Sequence, residues 1–213
     1  MGLFKNQKEF NNMKHYSLLA NMFRYPENSY KMQMGELNEF LKTNYPDVIS
    51  TFNSFYNQLS DTNKINEEYY LKTFEIDGIC CMDIGYVLFG ADYKRGDFLA
   101  KISHEQKESN NDTGIELADH LPNVLSLLPK HKDLEFVNEL SYGLIIPSVK
   151  EMLKKFTDTD NYYKQAFEVL LKILETDFNN LPFGQFVISS KEEKSYSEEY
   201  ACGADFLKEK SLK

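Results

Sequence analysis

Glu116, Asp119 and His120 lie close together in a chain of 213 residues. A carboxylate beside an imidazole can move a proton as an acid/base pair. The same groups can instead hold a cationic ligand through charge-assisted hydrogen bonds. Their neighbours say how they would be held. Leu117, Leu121, Val124, Leu125 and Leu128 recur at three- and four-residue steps, which predicts one apolar side of a helix. Glu116, Asp119, His120 and Asn123 fall on the other side. Pro122 is tolerated only in a first turn. The stretch therefore predicts a helix that starts here, with Asp119 as N-cap and the charges at its positive end.

Other chemistry is missing. No GxxxxGK[ST] or GxGxxG loop, HExxH, CxxC or GxSxG occurs in the sequence, so phosphate, metalloprotease, redox and nucleophile-elbow signatures are absent. His15, His104, His120 and His131 lack metal-ligand spacing. Glu116 and His120 are one residue too far apart for a Glu-x-x-His motif, and no second copy exists. The expectation is a chain with no catalytic and no metal residues, not an enzyme, and with no stably bound cofactor. A small hydrolase using Asp119 and His120 is the rival on this point, but no nucleophile or metal set accompanies the pair.

Composition narrows the partners. The charge tally is 24 basic against 33 acidic residues, a net of −9; such a surface repels phosphate, which argues against nucleic acid and anionic membranes. It suits a basic segment. No apolar run reaches the roughly 18 residues of a membrane span, and the polar start lacks a signal-peptide core. Asn6 stands where a myristoylation motif needs Ser or Thr. Cys80, Cys81 and Cys202 form no disulfide framework, which predicts a reducing, cytoplasmic setting with Cys80 and Cys81 as small buried residues.

The elements that must position the cluster are helical throughout. Stripes recur over residues 13–24, ended by Tyr25-Pro26, over 29–44, from Pro46 to Leu59, and over 162–178. Residues 67–74 are Tyr-rich and ambiguous. Residues 79–89 are nearly all apolar, with Asp83 the one charge, which predicts a helix at the bundle centre. Lys94 and Arg95 sit in a short turn before a helix with Phe98, Leu99 and Ile102; residues 109–114 are a loop by composition. Residues 131–156 read as helix, divided or kinked by Pro147. The fold class is all-α: a single globular bundle of about eight to ten helices over 1–183. Residues 184–213 read as a polar, mobile tail. Its start, FGQFVISS, has strand character but no partner strand.

The block ELADHLP, with a basic-Gly turn (Lys94-Arg95-Gly96, then Leu99) about 20 residues before it, resembles the TorD/DmsD/NarJ family of molybdoenzyme assembly chaperones, closest to the NarJ-like branch. Glu116, Leu117, Asp119, His120, Leu121, Pro122, Val124 and Leu125 are in register with that branch. Phe74, Tyr86 and the opening helix ending in Tyr25-Pro26 also match. Ala118 stands for the usual Pro, Asn123 for Val, Ser126 for Glu, and the basic turn is shorter by an Arg. The resemblance implies a cytoplasmic, non-catalytic helical protein that binds the apo catalytic subunit of a molybdopterin enzyme through its N-terminal segment. It would assist cofactor insertion and gate membrane docking or export; the molybdopterin belongs to the client. The site residues implied are Glu116, Asp119, His120, Leu121, Pro122, Tyr86 and Arg95, around a groove that takes an amphipathic or basic segment. Arg95 would pair with a carboxylate. The chain would be a monomer or dimer and would not insert into membranes. The alternative is a helical protein-interaction adaptor unrelated to molybdoenzymes.

Overall fold

The structure, a computed structural model, describes residues 13–157, 160–179 and 181–188. They form an all-α body around one apolar core. In chain order the helices are α1 (His15–Ala20), α2 (Tyr30–Asn44), α3 (Ile49–Tyr56), α4 (Asn63–Phe74), α5 (Ile84–Phe89), α6 (Tyr93–Glu108), α7 (Leu121–Leu127), α8 (Leu134–Glu139), α9 (Ile146–Lys154) and α10 (Tyr163–Asp177). Helix α1 lies along α7, α10 packs against both α9 and α3, and α5 joins α6 to α9.

Local sequence explains most boundaries. In α2 the buried residues are Tyr30, Met34, Leu37 and Leu41, one face at helical spacing. After α1 a 3-10 turn, Asn21–Phe23, runs out at Arg24, whose backbone is extended, two residues before Pro26. Asp92 caps α6 by accepting the Lys94 N–H at 2.9 Å, and Asp133 caps α8 with bonds from the Glu135 and Phe136 N–H groups. The ambiguous Tyr-rich stretch is helix α4, which ends just before Asp77 turns the chain at φ 49°.

The helix at the centre is not the one the apolar run suggested. Residues 79–83 are not helical, and only Ile84–Phe89 coils. A lone Asp83 in an apolar run has to find a partner when buried, and an extended backbone brings it to His120. Helix α7 takes the central place instead. All seven of its residues are buried, Asn123 and Ser126 included. The expected split into a leucine side and a solvated side therefore does not occur. His120, not Asp119, stands at the N-cap, and no side chain caps the helix.

Further expectations are refined or changed. Lys94 and Arg95 lie in the first turn of α6 rather than in a loop before it. Residues 134–154 are divided as Pro147 suggested, but by a change of helix type: α8 and α9 are separate elements. A π-helical segment, Leu140–Ile145, lies between them, and Pro147 sits in the first turn of α9. The wider turn absorbs the clash a proline makes with the carbonyl four residues back. Residues 184–188, assigned to a tail, pack on the bundle: the Phe186 N–H donates to the Gly143 carbonyl at 2.9 Å, with Phe186 and Ile188 half-buried against the core. They form no strand. The rest of the expected tail lies outside the described residues. Cys80 is buried and free, and burial pushes its thiol up to about 12. Cys81 is half-buried rather than buried.

Candidate functional site

Asp83 and His120 meet because two extended stretches run side by side. The Ile84 N–H donates to the Asp119 carbonyl at 3.0 Å, and the Leu121 N–H donates to the Met82 carbonyl at 2.9 Å. This isolated antiparallel bridge sets His120 Nδ1 3.1 Å from Asp83 Oδ1. Arg95, the third residue of α6, brings a guanidinium nitrogen 3.6 Å from Asp83 Oδ2. The same guanidinium lies over the Tyr86 ring at 5.2 Å from its centroid, a cation–π contact that fixes its orientation.

Asp119 sits behind this pair with no exposed surface. Its Oδ2 accepts the Gly85 N–H at 2.9 Å. Its Oδ1 has no hydrogen-bond partner among the described residues. Burial pushes the Asp119 carboxyl up, and the nearby charge of Asp83 adds to this; the Gly85 N–H and Arg95 pull the other way. Gly85 is required by close approach. A Cβ there would lie 2.7 Å from Asp119 Oδ2 and 2.9 Å from Phe98 Cδ1.

A polar clamp holds the loop that carries these residues. The Asn123 amide donates to the carbonyls of Thr113 and Leu117 at 3.1 and 3.0 Å. The Gln106 amide donates to the Ala118 carbonyl at 2.8 Å. The Asn111 amide donates to the side-chain oxygen of Gln106 and to the Asn123 carbonyl. The Arg24 guanidinium donates to the Ser126 hydroxyl at 2.9 Å. Asn123 thus fastens the loop to α7, and Ser126 fastens Arg24, just after the 3-10 turn, to the same helix.

Of the sequence-derived site residues, Tyr86, Arg95, Asp119 and His120 converge. Leu121 and Pro122 are buried at the start of α7 and serve as its seat in the core. Glu116 is exposed. It stands with Glu75 near the node: partial burial raises the Glu75 carboxyl, Glu116 and Asp83 raise it further, and His120 lowers it. Asp83, Gly85 and Glu75 were not singled out as site residues. The signal for the first two was present, a single charge and a glycine inside an otherwise apolar run.

The arrangement can do two things chemically. The Asp83 carboxylate can hold the His120 Nδ1–H and leave Nε2 basic, so an acid/base pair here would be His120 with Asp83, not with Asp119. Alternatively, Glu75, Glu116 and the node form an acidic patch for a cation. No group of three His, Cys, Asp or Glu residues suited to a metal occurs among the described residues. A solvent-open pocket of about 370 Å³ is lined by Tyr25, Pro26, Glu27, Asn28, Ser29 and Glu67. None of the seven sequence-derived site residues lines it, so it is not the groove expected beside His120. No helix among the described residues is long and apolar enough to cross a membrane. No protein-family model and no curated protein matches the sequence.

Proposed function

We propose that this chain is a non-catalytic assembly chaperone that binds the N-terminal segment of the apo catalytic subunit of a molybdopterin enzyme, in the cytoplasm, before cofactor insertion. The observation that carries the reading is convergence. The stretches behind the resemblance, residues 71–89, Lys94-Arg95-Gly96 and ELADHLP, meet in one node through the His120–Asp83, Arg95–Asp83 and Gly85–Asp119 contacts. Exposed Glu75 and Glu116 give that node an acidic rim, which suits Lys or Arg on an incoming segment.

The buried position of Asp119 moves the charge test outward. Reversing its sign would leave an unpaired buried charge, so the rim acids are the residues to vary. Tagged full-length chain should capture a molybdoenzyme catalytic subunit from anaerobically grown cells, and more of it when cofactor synthesis is blocked. Capture of other proteins alone would favour the adaptor reading. His120→Ala should impair client maturation more than it lowers the melting temperature; a large melting loss with intact client binding would make His120 a packing residue.

A further inference from the structure

The open pocket of about 370 Å³ beside Tyr25 lies outside the node, and two of its lining residues, Glu27 and Glu67, are acids. No Lys, Arg or His among the described residues makes an ion pair with either. Glu27 is exposed and Glu67 is half-buried. The Glu67 carboxylate is held in place. The Asn63 amide donates to its Oε1 and, at 3.1 Å, to the Pro26 carbonyl, which ties α4 to the turn before α2. Tyr25 supplies an aromatic wall. Its ring meets Tyr70 edge-on at 5.6 Å, and the Tyr70 hydroxyl is fixed on the Phe23 carbonyl at 3.2 Å. Tyr25 nevertheless stays 47% exposed. Burial, the Glu67 charge and a hydrogen bond to Glu67 push its phenol up, so it remains an uncharged donor.

The pocket keeps a negative charge. Helix α2 starts beside it, with Ser29 at the N-cap, and the helix dipole brings about half a positive charge against two carboxylates. A part-buried acid is screened less than an exposed one, so Glu67 has the more to gain from a counter-charge. An oriented carboxylate beside an open aromatic ring fits a guanidinium or ammonium group, which can lie on the ring and bond the acid together. It does not fit a metal ion: no group of three His, Cys, Asp or Glu residues suited to one occurs among the described residues.

The pocket also continues the acidic rim beside His120. Burial and then the charges of Glu75 and Glu116 push up the Tyr70 phenol, with Arg24 pulling the other way, so the Tyr25–Tyr70 pair has the rim on one side and the pocket on the other. Glu67 lies in α4 and Glu75 is its C-cap, about 12 Å apart along the axis. An extended segment covers that span in about four residues.

We propose that the pocket takes the side chain of a second Arg or Lys of the same basic segment whose first cation pairs with Glu75 and Glu116. The inference rests on the rim reading for its occupant, but not on the client being a molybdoenzyme.

The test uses dye-labelled peptides RSASR, RSASQ and QSASR, the full-length chain and fluorescence polarisation at low salt. The wild-type chain should bind RSASR roughly tenfold more tightly than either single-cation peptide, because the second contact is intramolecular. Glu67→Gln keeps an acceptor for the Asn63 amide and the Tyr25 hydroxyl, so it should melt like wild type and lose that advantage. In the wild-type chain RSASR should also shift the amide signals of Asn28, Ser29 and Glu67, an arm that needs no variant. No measurable binding, equal affinity for the three peptides, an advantage that survives Glu67→Gln, or unmoved amides would each overturn the proposal. If Glu75→Lys/Glu116→Lys abolishes binding while Glu67→Gln changes nothing, the pocket fails and the rim reading stands. A rim variant that binds RSASR as well as wild type does would instead sink the rim reading, and the shared segment with it.

Discussion

Two aspartate–histidine nodes occur among the described residues, one around the exposed Asp177 and one around the buried Asp83 and Asp119, and they are built to opposite plans. At one end of the bundle Asp177, the last residue of α10, receives the Tyr16 hydroxyl at 2.9 Å and the Tyr45 hydroxyl at 2.9 and 3.0 Å, and lies 2.9 Å from His15 Nε2. Phe40 stacks on His15 with centroids 5.7 Å apart. Burial and the Asp177 charge push both phenols up, so they stay donors. Every oxygen of that carboxylate is used, and the node staples α1 to α10 and to the turn before α3. Among the described residues, the node at Asp83, Asp119 and His120 has two carboxylates, a single Arg, and one buried oxygen, Asp119 Oδ1, with no hydrogen-bond partner. A closed network specifies structure; one left incomplete keeps hydrogen-bonding capacity that the fold alone does not use.

That contrast can be broken at several points. Asp177→Ala removes the partner of the Tyr16 hydroxyl, the Tyr45 hydroxyl and His15, although Tyr45 and His15 stay 3.2 Å from each other. It should lower stability by about 3 kcal/mol, since bonds to charged groups contribute about 1.5–3 kcal/mol each and do not add fully; urea unfolding at pH 7 checks it. Gly85→Ala forces a methyl against Asp119 and Phe98, and overpacking of this kind costs about 1–3 kcal/mol. Its melting curve should fall while Gly96→Ala, with open space around its Cβ position, stays level.

Asp119→Asn sharpens the comparison through pH. The Asp119 carboxyl is raised in the fold, so the folded chain holds that proton more tightly than the unfolded chain. The stability this gives is complete below pH of about 4, the ordinary value for Asp, and is lost as pH rises through the raised value. The Asn variant keeps an acceptor for the Gly85 N–H and removes the charge. Its stability should lack that decline and stay within about 1 kcal/mol of wild type near neutrality. A parallel pH profile in the two proteins would show that Asp119 is ionised without penalty.

The helical class, the stripes of α2 and α10 and the stop at Tyr25-Pro26 were legible because each depends on residues three or four apart. The convergence of Tyr86, Arg95, Asp119 and His120 was legible only as a resemblance, since they are linked through a bridge between residues 34 or more positions apart in sequence, as with Gly85 and Asp119. What stayed hidden was tertiary. Periodicity cannot tell a helix buried on every side from one buried on a single face when its polar members, such as Asn123 and Ser126, find partners inside. It likewise gave no sign that residues 79–83 would trade helix for the pairing of Asp83 with His120. Nor did the polar composition after residue 183 show that the Gly143 carbonyl would hold Phe186.

The account rests on the acidic rim beside His120 as the place where a client segment docks. Glu75 and Glu116 are exposed, so their replacement by Lys should change stability by no more than about 0.5 kcal/mol. Calorimetric titration of the client's basic N-terminal peptide into wild type and the Glu75→Lys/Glu116→Lys variant should show at least a roughly tenfold loss of affinity, about 1.4 kcal/mol, with unchanged melting. Equal affinity in the two proteins would contradict it.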